Sequence, residues 1–128
     1  MILTDTSIVV VFLRGPTVRL TAIIQTHQAA ICGITLAEVY AGARSPADFT
    51  RLATALSQFG TVAIPDTIWS QVGRNLSLLR SHGITVPFPD VVIATVAIDN
   101  GLELWTYDAH FSLMQTVLPG LNLFQGPP

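Results

Sequence analysis

Five short apolar runs recur along the chain, at residues 1–5, 30–34, 61–64, 102–107 and 121–124, and stretches with helical spacing separate them. Runs this short, rich in Ile, Val, Leu and Thr and bounded by polar or Gly/Pro positions, read as strands. Their apolarity is close to continuous, which marks strands buried on both faces, and strands that alternate with helices pair in parallel. The pattern therefore implies an α/β fold of three layers, a parallel sheet of about five strands with helices on both sides. At 128 residues, one domain over residues 1–128 is expected.

The helices carry recognisable start and stop signals. Residues 8–13 read as the first turns of one helix, broken by Gly15-Pro16, and residues 16–28 as a second. Thr35 is placed as an N-cap with Glu38 three residues later, a T-x-x-E capping box, and Gly42 lies close to that helix's end. Ser45-Pro46 opens a helix that runs to Phe59 before Gly60. Asp66 opens an amphipathic helix with Ile68, Trp69, Val72, Leu76 and Leu79 on one face, ended by His82-Gly83. After Pro87-Phe88-Pro89, Asp90 suits the N-cap of a central apolar helix over residues 91–98, closed by Gly101. A short helix over residues 109–117 precedes the last strand and a Pro-rich end. Phe59 and Trp69 read as core, whereas Tyr40, Phe88 and Trp105 suit either the core or a dimer interface.

Composition narrows the setting. Half the residues are hydrophobic and 11% are charged, against a typical ~25%, so the surface favours self-association, most simply as a homodimer. Mean hydropathy is +0.56, yet no stretch reaches the ~18 uninterrupted apolar residues of a spanning helix, and no membrane role is expected. The opening MILTDTSIVVVFLRG lacks a basic leader, and the lone Cys32 has no internal disulfide partner, which together point to the cytoplasm. Net charge is −2, and the six basic residues are all arginines, Arg14, Arg19, Arg44, Arg51, Arg74 and Arg80. The chain as a whole is thus no electrostatic trap for nucleic acid.

Only eight acids are present. Asp5 and Asp108 close predicted strands at the carboxyl edge of the sheet, where ligands of open α/β sheets bind. Asp90 and Glu38 open helices after a loop or strand, so the same edge can gather them. Both have structural readings as well, as a cap and as half of a capping box. Asp5 and Asp108 lack an obvious partner, and a buried acid needs one. Four converging carboxylates raise one another's pKa unless a hard cation compensates, with Mg2+ or Mn2+ the natural occupant. Asp48 and Asp66 read as helix-start residues, Asp99 as a helix-end surface residue and Glu103 as exposed at a strand start. His27, His82 and His110 read as surface or helix-end positions, of which only His110, two residues past Asp108, stands near a proposed ligand. There is no zinc-ligand spacing and no G-x-S-x-G, Walker or G-x-G-x-x-G motif.

Four segments, Leu3-Thr4-Asp5-Thr6-Ser7, Ile34-Thr35-Leu36-Ala37-Glu38-Val39-Tyr40-Ala41-Gly42, Pro89-Asp90-Val91-Val92-Ile93-Ala94 and Thr106-Tyr107-Asp108-Ala109-His110-Phe111, are weak singly. In this order and spacing they resemble PIN-domain proteins, in particular VapC-type toxin ribonucleases, over nearly the whole chain. The resemblance implies that Asp5, Glu38, Asp90 and Asp108 are catalytic. It implies that Asp5, Asp90 and Asp108 hold one or two Mg2+ ions, with Mn2+ able to substitute, and that Ser7 and Thr106 orient them. It further implies an RNA substrate, tRNA or rRNA, a homodimer, and a cognate antitoxin whose tail occupies the acidic cleft. The few arginines depart from the basic surface common in such nucleases. Two other readings stay open: a PIN-fold nuclease of RNA processing or DNA metabolism without an antitoxin, and a non-catalytic module whose acids bind a basic peptide.

Overall fold

A computed structural model describes residues 1–126; the Pro-rich end expected at 127–128 lies outside the described residues. Strand β1 (Ile2–Thr4) leads into helices α1 (Thr6–Arg14) and α2 (Val18–Thr26), then β2 (Ala29–Ile31), α3 (Gly33–Ala41), α4 (Pro46–Leu56) and β3 (Gly60–Thr61). A 3-10 turn (Asp66–Ile68), α5 (Trp69–Ser81), α6 (Phe88–Asp99), β4 (Glu103–Trp105) and α7 (Ala109–Gln115) complete it. All neighbouring strands pair in parallel in the order β3-β2-β1-β4. Among the described residues no helix is long and apolar enough to cross a membrane.

Side chains alternate across a strand, and here the alternation divides the core in two. Ile2, Ala29, Ile31 and Trp105 pack with Ile8, Val9, Phe12, Ile24 and Leu52 on one face. Leu3 and Leu104 pack on the other with Val72, Leu79, Phe111 and the α6 residues Val91 to Val96. The expected three layers are therefore present, with α1, α2 and α4 on one side and α5, α6 and α7 on the other. Helix α6 is buried almost all round, with seven consecutive buried residues from Val91 to Ala97. It ends on Gly101 at φ +62°, a left-handed conformation that favours glycine.

Several boundaries differ from the sequence reading. Among the described residues the sheet has four strands; the fifth is reduced to a single parallel bridge, Leu104 to Leu123, bonded through Leu104 N–H to Asn122 O and Phe124 N–H to Leu104 O. Strand β3 stops at Thr61, because after Val62 donates to Ile31 O the chain runs to Pro65, which has no N–H to offer a ladder. Helix α3 begins at Gly33 behind Cys32, with Leu36 N–H already on Cys32 O, so Thr35 lies buried inside the first turn and the Thr35–Glu38 capping box does not form. Trp69, read as core, is 44% exposed, whereas Trp105 is buried. Burial also pushes the Cys32 thiol pKa up, as suits a core-filling, unreactive cysteine.

Candidate metal centre

Strand β1 is flanked by β2 on one side and β4 on the other, so the chain order reverses between β1 and β4. That is the switch point at which open α/β sheets bind ligands, beyond the carboxyl ends of the strands. Asp5 follows β1 directly, and Thr106, Tyr107 and Asp108 follow β4.

Asp5 is 4% exposed and is the N-cap of α1. Its Oδ2 accepts from the Ser7 N–H (3.3 Å), the Ser7 hydroxyl (2.8 Å) and the Thr106 hydroxyl (2.9 Å). No hydrogen bond among the described residues falls on Oδ1. The Thr106 hydroxyl also accepts from the Asp108 N–H at 2.9 Å, and the Ser7 hydroxyl accepts from the Tyr107 N–H at 3.0 Å. Two hydroxyls thus fix the acid after β1 to the backbone after β4.

Asp108 is likewise an N-cap, of α7, its Oδ1 accepting from the His110 N–H at 2.9 Å. His110 Nδ1 lies 3.2 Å from that same oxygen and 3.0 Å from Asp90 Oδ2. Asp90, Asp108 and His110 each present one ligand atom, all within 4.8 Å of one another. His110, read from sequence as a surface or helix-end residue, is indeed 44% exposed in the first turn of α7, yet its ring also reaches both carboxylates, which the reading did not foresee. Its spacing from Asp108 was the available signal: a cap and the residue two positions on share one helical turn.

Asp90 is no N-cap. Pro89, near the helix start, has its φ preset for a first turn, and the Asp90 N–H already donates to Pro87 O, so the cap is Pro87 and Asp90 sits inside the turn. Its side chain is 13% exposed. Burial pushes its carboxyl above the ordinary carboxylate range; the charges of Asp5 and Asp108 act the same way, and the hydrogen bond from His110 opposes them.

Glu38 stands apart from this group. It is exposed on α3, where its Oε1 accepts from the Thr6 hydroxyl at 2.8 Å, so it is tied to the residue after Asp5. It also lines a groove with Arg14 and Arg51. The structure thus brings Asp90 and Asp108 together with His110, links Asp5 to Asp108 through Thr106, with Ser7 holding Asp5, and leaves Glu38 outside that group in the Arg14–Arg51 groove. Carboxylate oxygens with a single imidazole nitrogen form a donor set that fits Mg2+ or Mn2+. Asp48, in the first turn of α4, and Asp99, at the end of α6, hold the structural places expected of them.

The PIN domain family matches residues 2–116. Ribonuclease VapC21 of Mycobacterium tuberculosis is 32% identical over 105 residues, 77% of this chain and 74% of that protein. The fold is similar to that in the crystal structure of VapBC2 from Rickettsia felis bound to a promoter DNA fragment, with a TM-score of 0.82 at 21% identity, covering 97% of this chain and 98% of that one. A toxin-antitoxin complex from Klebsiella pneumoniae is similar at a TM-score of 0.66 and 27% identity, covering 94% and 95%. A family match over nearly the whole length, a relative 32% identical over 105 residues and a switch-point acidic site agree: the chain belongs to the PIN-domain family, as a VapC-type member.

Proposed function

We propose that this protein is a divalent-cation-dependent endoribonuclease, the toxin of a VapBC-type pair, that hydrolyses phosphodiester bonds of tRNA or rRNA. The observation that carries the reading is the convergence of Asp90 and Asp108 within one small volume, with Asp5 coupled to them through Thr106. Burial first, and then the charges of Asp5 and Asp108, raise the Asp90 pKa, so without a cation the ionised carboxyl opposes folding. The 32% identity to a protein named as a ribonuclease supports RNA as the substrate.

When bound, Mg2+ or Mn2+ supplies an activated water and charge stabilisation at the leaving oxygen. The chain supplies the frame. Asp5, with Oδ2 saturated by three donors, presents Oδ1 in a fixed direction, and Asp108 is held by its capping bond. Asp90 and Asp108 complete the ligand set. Glu38, oriented by Thr6, is placed to hold a proton at the rim of the cleft. Arg14 and Arg51, beside Glu38, provide positive charge for neighbouring phosphates. His110 Nδ1, within 3.0 Å of Asp90 Oδ2 and 3.2 Å of Asp108 Oδ1, ties the two acids into one group. A cognate antitoxin as partner is supported by the toxin-antitoxin complex among the similar folds; its tail, covering the acidic cleft, would silence the site.

Incubating total tRNA and rRNA with the protein is expected to give discrete cleavage products in Mg2+ or Mn2+ and none in excess EDTA. Zn2+ added to the chelated protein is not expected to restore them, because the proposed ligands Asp5, Asp90 and Asp108 all offer hard oxygens. Full cleavage in EDTA would remove the metal site; silence with every cation, together with tight binding of a basic peptide, would favour the non-catalytic module instead.

We further propose a homodimer. Val18, Phe49, Trp69, Phe88 and Leu113 are each more than two-fifths exposed, a large apolar area for a monomer surface. Light scattering at micromolar concentration is expected to return twice the chain mass, and a clean monomer across that range contradicts the proposal.

A further inference from the structure

A cavity of about 390 Å3, lined by Thr106 and Asp108 but not by Asp90, opens beside the acids. That volume falls within the ~300–1,000 Å3 range of small-ligand sites. It shares Thr106 and Asp108 with the acidic site and is walled further by Trp105, Tyr107, Ser112, Phe124 and Gln125. The Tyr107 ring is 41% exposed although its residue lies between two site residues. Its N–H is bonded to the Ser7 hydroxyl that holds Asp5, so the ring rides on backbone pinned to the acids. Trp105, 1% exposed and edge-to-face with Phe124 at 5.8 Å, forms an apolar wall, and its buried indole N–H has no partner among the described residues. Ser112 and Gln125 add exposed, neutral hydrogen-bonding groups.

These walls suit one kind of ligand. Apart from Asp108 the lining carries no charge, so the cavity does not recruit a phosphate. It offers an aromatic face, apolar sides and neutral polar edges, the combination that receives a flat, neutral, hydrogen-bonding ring. A substrate whose phosphodiester reaches Asp90 and Asp108 carries its neighbouring base to within one nucleotide of this cavity. Resting on the ribonuclease reading above, we infer that the cavity is a nucleobase subsite, in which one unpaired base beside the scissile bond stacks on Tyr107 with its edge toward Ser112 and Gln125. Stacking on aromatic side chains is how proteins hold splayed-out bases of single-stranded RNA. The subsite therefore directs the protein to loops and unpaired segments.

Binding can be measured apart from cleavage with the full-length Asp90→Asn protein and a fluorescein-labelled, unstructured oligoribonucleotide, read by fluorescence anisotropy. In that background, adding Tyr107→Ala is expected to weaken binding about fivefold to a hundredfold, the usual worth of one base stacked on an aromatic ring. Adding Tyr107→Phe is expected to keep the affinity. Oligonucleotides carrying an abasic site at successive positions are expected to show one position whose loss weakens binding to the Tyr107 protein but not to the Tyr107→Ala protein. Equal binding by Ala and Tyr at position 107, or abasic effects that are indifferent to that substitution, would overturn the subsite. The wild-type cleavage assay separates the two readings. Cleavage with Tyr107-independent binding removes the subsite alone. Base-specific, Tyr107-dependent binding by a protein that cuts no RNA sustains the subsite and removes the nuclease.

Discussion

Replacing Asp90 by Asn is expected to lower RNA cleavage at least about a hundredfold while leaving the cation-free protein as stable as wild type or more so. Groups that merely support a metal ligand cost 10–100-fold when lost, and Asp90 is proposed as a ligand itself. The stability half of the prediction follows from its surroundings. Burial and the charges of Asp5 and Asp108 raise its folded-state pKa above the ordinary value. Between the ordinary and the raised pKa the folded protein binds a proton that the unfolded chain has released. Stability therefore falls as pH rises through that window, and above it the ionised carboxyl opposes folding. Asn removes this penalty. Melting temperatures in EDTA should then favour the variant at neutral pH, with the gap narrowing as pH is lowered through the window. Added Mg2+ should stabilise wild type more than the variant, since stabilisation follows affinity for the folded state. Because Pro87, not Asp90, caps α6, Asp90→Ala should lose cleavage in the same way without the ~1 kcal/mol penalty of a lost N-cap. An active Asn variant with the full Mg2+ shift would take Asp90 out of the site.

The second large effect is expected at Phe111, which touches no substrate. Helix α7 has seven residues, far below the ~12–15 at which an isolated helix becomes even marginal, so packing must hold it. Phe111 and Met114, both 0% exposed, anchor it to the core beneath α6. Phe111→Ala is expected to cost about 3–5 kcal/mol, a large share of the ~5–15 kcal/mol that domains possess. It should also lower cleavage in the fraction still folded, because α7 carries Asp108 as its cap and His110 in its first turn. Phe111→Leu, which keeps most of the volume, should retain more of both. Urea unfolding in EDTA, beside cleavage well below the midpoint, tests the pair. Full activity in a destabilised Phe111→Ala protein would show that the site does not depend on the seating of α7.

The strand–helix alternation and the two-sided burial of the strands were legible because period and apolarity are local properties. So were the acids at strand ends, since Asp5 and Asp108 follow their apolar runs directly. What escaped was set by contacts between distant segments. Thr35 and Glu38 satisfy a capping-box pattern, yet the helix starts two residues before Thr35 and Glu38 turns to Thr6, 32 positions away. Asp90 looks like a cap after Pro89, but the first turn had already begun ahead of it. Conversely, Asp5 and Asp108 were read as ligands only and are both helix caps. The fifth strand carried a strand-like composition, but pairing at one residue is a property of its register against β4, which no local pattern encodes. The spacing of His110 from Asp108 was visible in the sequence, but its approach to Asp90 on another helix was not.

The hydroxyl of Thr106 and the carboxylate of Asp5 meet across 101 positions of sequence, with β1 paired directly to β4. Closing so wide a loop yields nothing until the late segment is available, and nonlocal pairings of this kind slow folding. On a translating ribosome the early acids therefore emerge long before the residues that orient them, and a nascent chain that ends before β4 carries Asp5 and Glu38 but no assembled centre. The connectivity acts as a timer: whatever chemistry the centre performs can begin only after the β4 segment is free to pair with β1 and bring Thr106 to Asp5.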